Sequence, residues 1–188
     1  MTLLVNRSPR LFTVDDLYKM VECGILGVQE RVELIEGEIV PMSPHDPKHS
    51  EALTWCNHLF SKHFGADYLV RVQLPLRLGN LSEPEPDLAL LAIADTPGNT
   101  AHPTHVPFVL EVASTSLAYD RGEKLKLYAR ARIPEYWIVN VRDGQVEVYR
   151  DPQGDNYGDQ FQRSRGEVLE LLHLPGRIFP VSTLLGEP

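Results

Sequence analysis

Hydrophobic and polar positions along the first third of the chain predict a helix, a hairpin and a second helix. Residues 13–22 have the pattern of a short helix, with Thr13 as its N-cap and Asp16 three residues further on. Residues 31–43 carry β-favouring side chains around a tight turn, which is typical of a hairpin. Residues 48–64 repeat apolar side chains at helical spacing, so they are predicted to form a longer helix.

The remainder of the chain alternates between predicted strands and one further helix. Residues 70–78 show the two-residue period of a half-buried strand. Residues 88–93 and 108–113 are continuous apolar runs, typical of strands buried on both faces. A helix is predicted over residues 116–132 and an apolar strand over residues 136–141, an order that favours a right-handed crossover between parallel strands. The pattern therefore predicts an α/β fold with a mixed central sheet flanked by helices.

Length and composition are those of an ordinary globular domain. The 188 residues are 43% hydrophobic and 23% charged, so a single domain over residues 1–188 is expected. The two cysteines, Cys23 and Cys56, exclude a disulfide scaffold and favour a reducing compartment. No run approaches the roughly 18 apolar residues of a membrane span. We therefore expect a cytoplasmic protein that does not enter a membrane.

The charge balance argues against one class of function. With 18 Lys and Arg against 26 Asp and Glu, the formal net charge is -8. This charge does not suit a protein that coats nucleic acid through a general basic surface. Residues 121–132 differ locally, because they contain five basic side chains and one acid. A local basic groove therefore remains compatible with the overall charge.

Two acidic residues occupy unusual positions in the predicted strands. Asp87 opens the apolar run 88–93, and Glu111 lies inside the run 108–113 with apolar neighbours on both sides. An isolated ionised carboxylate is costly in an apolar interior, so each is expected to be paired, protonated or bound to a cation. Two structural alternatives stay open. Asp87 is then a turn residue at the entry to a strand, and Glu111 the partner of a structural arginine.

The predicted helix over residues 116–132 carries a lysine on its apolar side. At about 100° per residue, Asp120, Lys124 and Tyr128 fall within the apolar arc, whereas Lys126 and Arg130 fall on the solvent face. A lysine that points inward requires a carboxylate partner, so Lys124 is predicted to face the strand that carries Glu111. For Asp120, an N-cap role in a capping box is an equally weighted alternative.

Four segments that contain these residues resemble a known family. They are Arg31 to Ile39 (RVELIEGEI), Pro86-Asp87-Leu88, Leu110-Glu111-Val112, and the stretch from Asp120 through Tyr128 to Val139. The chain resembles the Uma-type family of restriction endonucleases, which belongs to the PD-(D/E)XK nuclease superfamily, from Phe12 to about Leu185. The resemblance implies a restriction-endonuclease-like fold. The last of the four segments is the most specific, because Pro-Asp alone is common.

The resemblance implies roles for the two acids and the lysine. Asp87 and Glu111 match the pair that holds a divalent cation, Mg²⁺ or Mn²⁺. The superfamily's usual lysine lies two residues after the second acid, a position that is Ala113 here. The family supplies the amine from the following helix, which makes Lys124 the candidate catalytic lysine.

The resemblance also suggests auxiliary residues near the same site. Glu33 matches a family acid that adds a ligand or orients a water, and His49 falls at a family position. Asp120 and Tyr128 belong to the family's helical motif. These four residues are therefore expected to support the site rather than to form its centre.

The expected function is Mg²⁺-dependent (or Mn²⁺-dependent) hydrolysis of phosphodiester bonds in DNA by an endonuclease. Arg121, Lys126 and Arg130 on the basic helix are the predicted nucleic-acid contacts. A homodimer is expected for a nuclease of one domain acting on a duplex. The alternative is a catalytically silent binding or regulatory module that keeps the nuclease fold, which the acidic net charge favours.

Overall fold

The computed structural model describes residues 9–44, 46–65, 67–95, 103 and 105–187. The chain divides into two compact units. The first consists of Met1–Ser43 and Arg77–Pro84, and the second of Pro44–Leu76 and Glu85–Pro188. The single domain expected over residues 1–188 stays a prediction.

The first unit contains one helix and one hairpin. They are α1 (Val14–Glu22), β1 (Val32–Ile35) and β2 (Glu38–Pro41), with β1 and β2 antiparallel. Thr13 caps α1 in a reciprocal capping box, because the Asp16 amide donates to Thr13 Oγ1 at 3.1 Å and the Thr13 amide donates to Asp16 Oδ2 at 3.0 Å. The predicted helix, its cap and the predicted hairpin are therefore confirmed.

The second unit is built on a six-stranded sheet with the order β3-β4-β5-β6-β7-β8. The strands are β3 (Tyr68–Val72), β4 (Leu88–Ala92), β5 (Phe108–Ala113), β6 (Glu135–Asn140), β7 (Gln145–Gln153) and β8 (Asn156–Ser164). The strands β5 and β6 are parallel, and the other neighbouring pairs are antiparallel. The parallel pair predicted from the strand-helix-strand order is confirmed.

Helices and a small hairpin complete the second unit. They are α2 (Pro47–Phe64), a 3₁₀ turn (Ile93–Asp95), α3 (Leu117–Tyr119), a π-helical turn (Asp120–Lys124), α4 (Leu125–Arg130), β9 (Val168–Leu171), β10 (Leu174–Pro180) and α5 (Val181–Leu184). The fold is mixed α/β with a central mixed sheet and flanking helices, as the sequence predicts. None of the helices in the described part of the chain is both long and apolar enough to cross a membrane.

Alternate residues of β5 face opposite sides of the sheet. Phe108, Leu110 and Val112 join the core cluster that includes the α2 side chains. In that cluster Phe108 stacks on Phe60 at a ring-centroid distance of 5.1 Å. Because successive strand side chains point to opposite faces, Glu111 lies on the other face. This face is covered by the helical segment that contains the π-helical turn, through Lys124 and Tyr128.

The strand predicted over residues 70–78 is wrong beyond Val72. Strand β3 ends there, and the next residue, Gln73, has a left-handed backbone with φ 50°. At Gln73 the left-handed backbone turns the chain away from β4, and Pro75 lacks the amide that a ladder requires. The alternation of apolar and polar side chains therefore extends past the hydrogen-bonded strand.

Candidate active site

Strand register brings the two acids together. Leu88 pairs with Leu110 in the antiparallel β4-β5 ladder, so Asp87, one residue earlier, lies opposite Glu111. The Asp87 amide donates to Glu111 Oε2 at 3.2 Å. Asp87 is 7% exposed and Glu111 is 3% exposed. The strand-entry position of Asp87 thus places a second carboxyl residue directly beside the acid in the middle of β5.

The helical segment supplies Glu111 with a lysine and a tyrosine. Lys124 Nζ donates to Glu111 Oε1 at 2.9 Å, and the Tyr128 hydroxyl donates to the same oxygen at 2.7 Å. Both helical side chains are buried. The predicted inward direction of Lys124 and its contact with Glu111 are confirmed. A shared site for the carboxylates of Asp87 and Glu111 stays a prediction. The alternative in which Glu111 pairs with a structural arginine is replaced by this lysine pair.

A π-helical turn shapes the segment that carries Lys124. The Leu125 amide donates to the Asp120 carbonyl, an i to i+5 bond, and Asp120 and Lys124 are both buried. The Ser116 hydroxyl donates to Asp120 Oδ2 at 2.6 Å, and the Tyr136 hydroxyl donates to the Asp120 carbonyl at 3.3 Å. Asp120 thus lies inside the helical segment and anchors its widened turn.

The N-cap alternative for Asp120 is therefore wrong. The helix already begins at Leu117, three residues before Asp120, so the amides that an N-cap would serve lie further upstream. The Asp120 carboxylate instead accepts from the hydroxyl of Ser116. Of the two interpretations of Asp120, the buried position is confirmed.

Three donors hold the carboxylate of Asp87. The Val112 amide donates to Oδ2 at 2.8 Å, His49 Nε2 lies 3.0 Å from the same oxygen, and Gln73 Nε2 donates to Oδ1 at 3.1 Å. Burial raises the pKa of Asp87, but these donors, His49 first among them, outweigh burial and hold the pKa below its ordinary value. The geometry therefore favours an ionised Asp87.

His49 reaches Asp87 because of its place in the first turn of α2. Asp46 caps this helix, accepting from the Lys48 amide at 2.9 Å and from the His49 amide at 3.0 Å. The predicted auxiliary role of His49 now has a defined contact. Gln73 was not among the predicted site residues, because a single polar residue in an alternating segment carries no signal of such a contact.

The remaining auxiliary acid, Glu33, belongs to the first unit. It lies on β1 opposite Val40 of β2 and is buried. A carboxyl group buried to this degree in a small unit is expected to have polar partners. Its role as an added ligand or an orienting acid stays a prediction.

The three predicted nucleic-acid contacts on the helical segment have acidic partners. Arg121 forms a bidentate pair with Glu147 of β7, with both nitrogen-oxygen distances at 2.7 Å. Arg130 pairs with Asp155 at 2.7 and 2.9 Å, and Lys126 lies 3.4 Å from Glu123.

These partners change the local charge balance of the helix. Glu147 and Asp155 come from outside residues 121–132, so the excess of basic residues in that stretch is partly offset by other parts of the fold. The predicted contacts with nucleic acid stay predictions.

Asp87 and Glu111 are the candidate residues for holding a metal ion. Magnesium binds oxygen ligands, commonly through one or two protein carboxylates, and keeps several water molecules. Asp87 and Glu111 are oxygen donors of this kind and are joined by a backbone hydrogen bond. Within the described residues there is no group of three or more His, Cys, Asp and Glu side chains arranged to hold a metal ion. Carboxylate oxygens of this kind are ligands that a hard cation takes.

The fold is shared with a solved structure. A crystal structure of a putative nuclease belonging to DUF820 from Anabaena variabilis matches with a TM-score of 0.73, covering 93% of this chain and 97% of that chain at 15% identity. A family model described as a putative restriction endonuclease, Uma2, matches residues 14–182. The chain therefore belongs to the Uma2 family. No curated protein matches the sequence.

Proposed function

We propose that this protein is a Mg²⁺-dependent endonuclease that hydrolyses phosphodiester bonds of DNA through Asp87, Glu111 and Lys124. One observation carries the proposal. A buried ammonium group lies 2.9 Å from Glu111, and the other oxygen of Glu111 accepts from the amide of Asp87. Two acids and an amine in one buried cluster are the groups that metal-assisted hydrolysis requires. Membership of the Uma2 family supports the same reaction class.

Asp87 and Glu111 would hold the cation, Mg²⁺ or Mn²⁺. When bound, such an ion lowers the pKa of a water molecule and offsets negative charge on phosphate oxygens. The protein prepares Asp87 for this role, because the donors around it hold its pKa below the ordinary value and keep it ionised. The Val112 amide fixes Oδ2 at 2.8 Å, which limits rotation of the carboxylate.

Lys124 would orient the nucleophile or stabilise charge on the phosphate in the transition state. Its ammonium group is preorganised by Glu111, so it need not reorganise when the substrate arrives. Tyr128 holds the same Glu111 oxygen at 2.7 Å and thereby fixes the acid to which the lysine is anchored. The side chains of Lys124 and Glu111 are 7% and 4% exposed, so bulk water screens this pair weakly.

Auxiliary groups would act through these three residues. His49 contacts Asp87 and would stabilise the charged form of that carboxylate. Glu33 would add a ligand or orient a water molecule. Asp120 anchors the π-helical turn from which Lys124 projects.

DNA is the proposed partner, with Arg121, Lys126 and Arg130 as its contacts and a homodimer as the acting form. Each of these three basic side chains has an acidic partner. Binding of a DNA phosphate would therefore replace the carboxylate that the side chain contacts in the free protein. We place the protein in the cytoplasm, because both of its cysteines, Cys23 and Cys56, are free thiols.

The second candidate function is a nuclease-fold module that binds without turnover. The formal net charge of -8 and the acidic partners on the basic helix favour it. Such a module would keep the fold and the buried pair of Lys124 and Glu111 as structural features.

A cleavage assay separates the two functions. Plasmid and single-stranded DNA are incubated with the wild-type protein in Mg²⁺ or Mn²⁺, with the Lys124→Ala variant, and with Lys62→Ala as a control from the exposed surface of α2. We expect cleavage by the wild type and by Lys62→Ala, and none by Lys124→Ala. DNA binding without cleavage by the wild type would support the silent module.

Metal binding tests the division of roles within the site. In a calorimetric titration with Mn²⁺, Asp87→Asn should bind more weakly, because the cation loses a charged oxygen. Lys124→Ala should bind as tightly or more tightly, because a nearby positive charge is removed. Lys126→Ala, on the exposed side of the helix, should bind like the wild type. If DNA cleavage requires Lys126 rather than Lys124, the assignment of Lys124 as the catalytic lysine is wrong.

A further inference from the structure

Gln73 combines an unusual backbone conformation with a contact to Asp87. Its φ of 50° lies in the left-handed region, which residues other than Gly, Asn and Asp seldom adopt. Its side-chain amide donates to Asp87 Oδ1 at 3.1 Å. Non-glycine residues held in this region are concentrated at functional sites.

The backbone of Gln73 is fixed by the sheet before it turns away. Val72 pairs with Leu88 in the β3-β4 ladder, and the Gln73 amide adds one more bond, donating to the Asp87 carbonyl at 3.2 Å. Both the main chain and the side chain of Gln73 therefore contact Asp87. The end of a strand requires only the main-chain contact. The side-chain contact with Asp87 is additional.

The two oxygens of Asp87 have separate donors. The Val112 amide and His49 lie at Oδ2, whereas Gln73 lies at Oδ1. Hydrogen bonds to both oxygens restrict rotation of a carboxylate more than hydrogen bonds to one oxygen alone. The primary amide of Gln73 also supplies its hydrogen bond without a positive charge, so it would not repel a cation held by Asp87.

We propose that Gln73 is a positioning residue for Asp87, and that its left-handed backbone aims its side-chain amide at Oδ1 so that the carboxylate is oriented for the cation. This inference rests on the proposed function, because it assigns Asp87 to a cation. It adds to the proposed site a residue other than Asp87, Glu111 and Lys124. Groups that orient a metal ligand commonly change metal affinity by about 10-fold to 100-fold when removed.

Substitution of Gln73 by glycine distinguishes a role in positioning Asp87 from a role in the turn of the backbone. Gly adopts a positive φ without strain, which offsets part of the lost hydrogen bond to Asp87, so Gln73→Gly should remain folded and melt near the wild-type temperature in the absence of metal. The same variant lacks the amide and should bind Mn²⁺ about tenfold more weakly or worse in a calorimetric titration. Gln73→Asn keeps tolerance of the left-handed region but shortens the side chain, and it should also lose affinity.

Asp151→Gly is the matched control. Asp151 is also left-handed, with φ 60°, and lies in β7, where its carboxylate accepts from Gln153. This variant should bind Mn²⁺ like the wild type. Wild-type affinity in both Gln73→Gly and Gln73→Asn would overturn the inference while leaving the proposed function intact. A wild-type protein that binds no Mn²⁺ would overturn both.

Discussion

Two buried glutamates on neighbouring strands show how similar positions lead to different chemistry. Glu111 lies in the middle of β5 and Glu135 at the start of β6, the parallel partner strand. Both strands are buried along their whole length, and the two residues are 3% and 2% exposed. Burial alone therefore does not distinguish the candidate catalytic acid from the other.

The donors around the two glutamates differ. Glu135 Oε1 accepts from Arg150 at 2.9 and 2.8 Å and from the Trp137 indole at 2.7 Å, and Oε2 accepts from the Leu172 amide at 2.7 Å. These partners tie β6 to β7 and to the turn between β9 and β10. Arg150 is a structural arginine paired with a buried glutamate, which is the arrangement considered as an alternative for Glu111 in the sequence analysis.

Glu111 has a more compact partner and a second acid beside it. Lys124 is a point charge on a flexible stem, whereas Arg150 presents a rigid planar fork. The Asp87 amide also donates to Glu111, which places a second acidic residue opposite the first across the β4-β5 ladder. The comparison teaches that two equally buried acids are distinguished by the groups around them.

The largest expected difference between the two glutamates is in catalysis. Glu111→Gln should reduce DNA cleavage on the order of a thousandfold, because a cation loses a charged oxygen and the lysine loses its anchor. Glu135→Gln should cleave within about threefold of the wild type, because this acid lies outside the cluster of Asp87 and Glu111. Initial rates on plasmid DNA at saturating Mg²⁺ measure both. Equal losses in the two variants would break the comparison.

The second prediction concerns stability. Arg150→Met should destabilise the protein by about 3 kcal/mol, because Glu135 would be left buried without its guanidinium group. Trp137 and Leu172 still donate, so the loss falls at the lower end of the usual range. Urea unfolding of this variant and of a Glu135→Leu, Arg150→Met double variant measures the effect. The double variant should recover part of the lost stability, since no unpaired charge remains but the Trp137 indole and the Leu172 amide lose their acceptor.

Acid pH should weaken the region around Asp87. The pKa of Asp87 in the folded protein lies below its ordinary value of 3.8, so its contribution to stability is present above that value and is lost as the pH falls through the folded pKa. Unfolding free energies from about pH 6 to about pH 2 should therefore decline more steeply for the wild type than for Asp87→Asn. Parallel curves would show that the hydrogen bonds to Asp87 do not stabilise its ionised form.

The smallest expected effect lies in the exposed ion pairs. Wild-type binding to duplex DNA in Ca²⁺, followed by fluorescence anisotropy, should weaken with salt with a log-log slope on the order of two to four. Lys126→Glu combined with Arg130→Glu should weaken binding and lower the slope by about two, one for each phosphate that is no longer neutralised.

A matched control uses two arginines outside the helical segment. Arg163 and Arg165 also pair with acids, Glu167 and Glu187, and lie at the end of β8 and just beyond it. Arg163→Glu combined with Arg165→Glu should leave the slope unchanged. An equal effect of both charge reversals would remove the helix as the specific contact surface.

Sequence patterns predicted most of the sheet because its central strands are continuously apolar. The predicted strand 108–113 coincides with β5, and the strand predicted over 136–141 is shifted by one residue from β6 (Glu135–Asn140). Strand β7 continues to Gln153 and includes the left-handed Asp151, a conformation that hydrophobic periodicity does not indicate.

The site was predictable where an acid or a lysine occupied an apolar position. Asp87, Glu111 and Lys124 each broke the local pattern, and each proved to be buried in the same cluster. Gln73 could not be found in this way, because its role depends on a left-handed backbone and on strand register. Glu135 directly precedes the apolar run 136–141 as Asp87 precedes the run 88–93, so this position in the sequence does not distinguish the two acids.

The π-helical turn makes the direction of Lys124 depend on chain length as well as on side chains. Its i to i+5 bond includes one residue more than an α-helical turn, and a Cβ added at Gly122 would meet nothing within 4 Å. Removing Gly122 would take the extra residue out of this turn, so the i to i+5 bond from the Leu125 amide to the Asp120 carbonyl could not form. Side-chain exchange should thus be tolerated better here than a change in length.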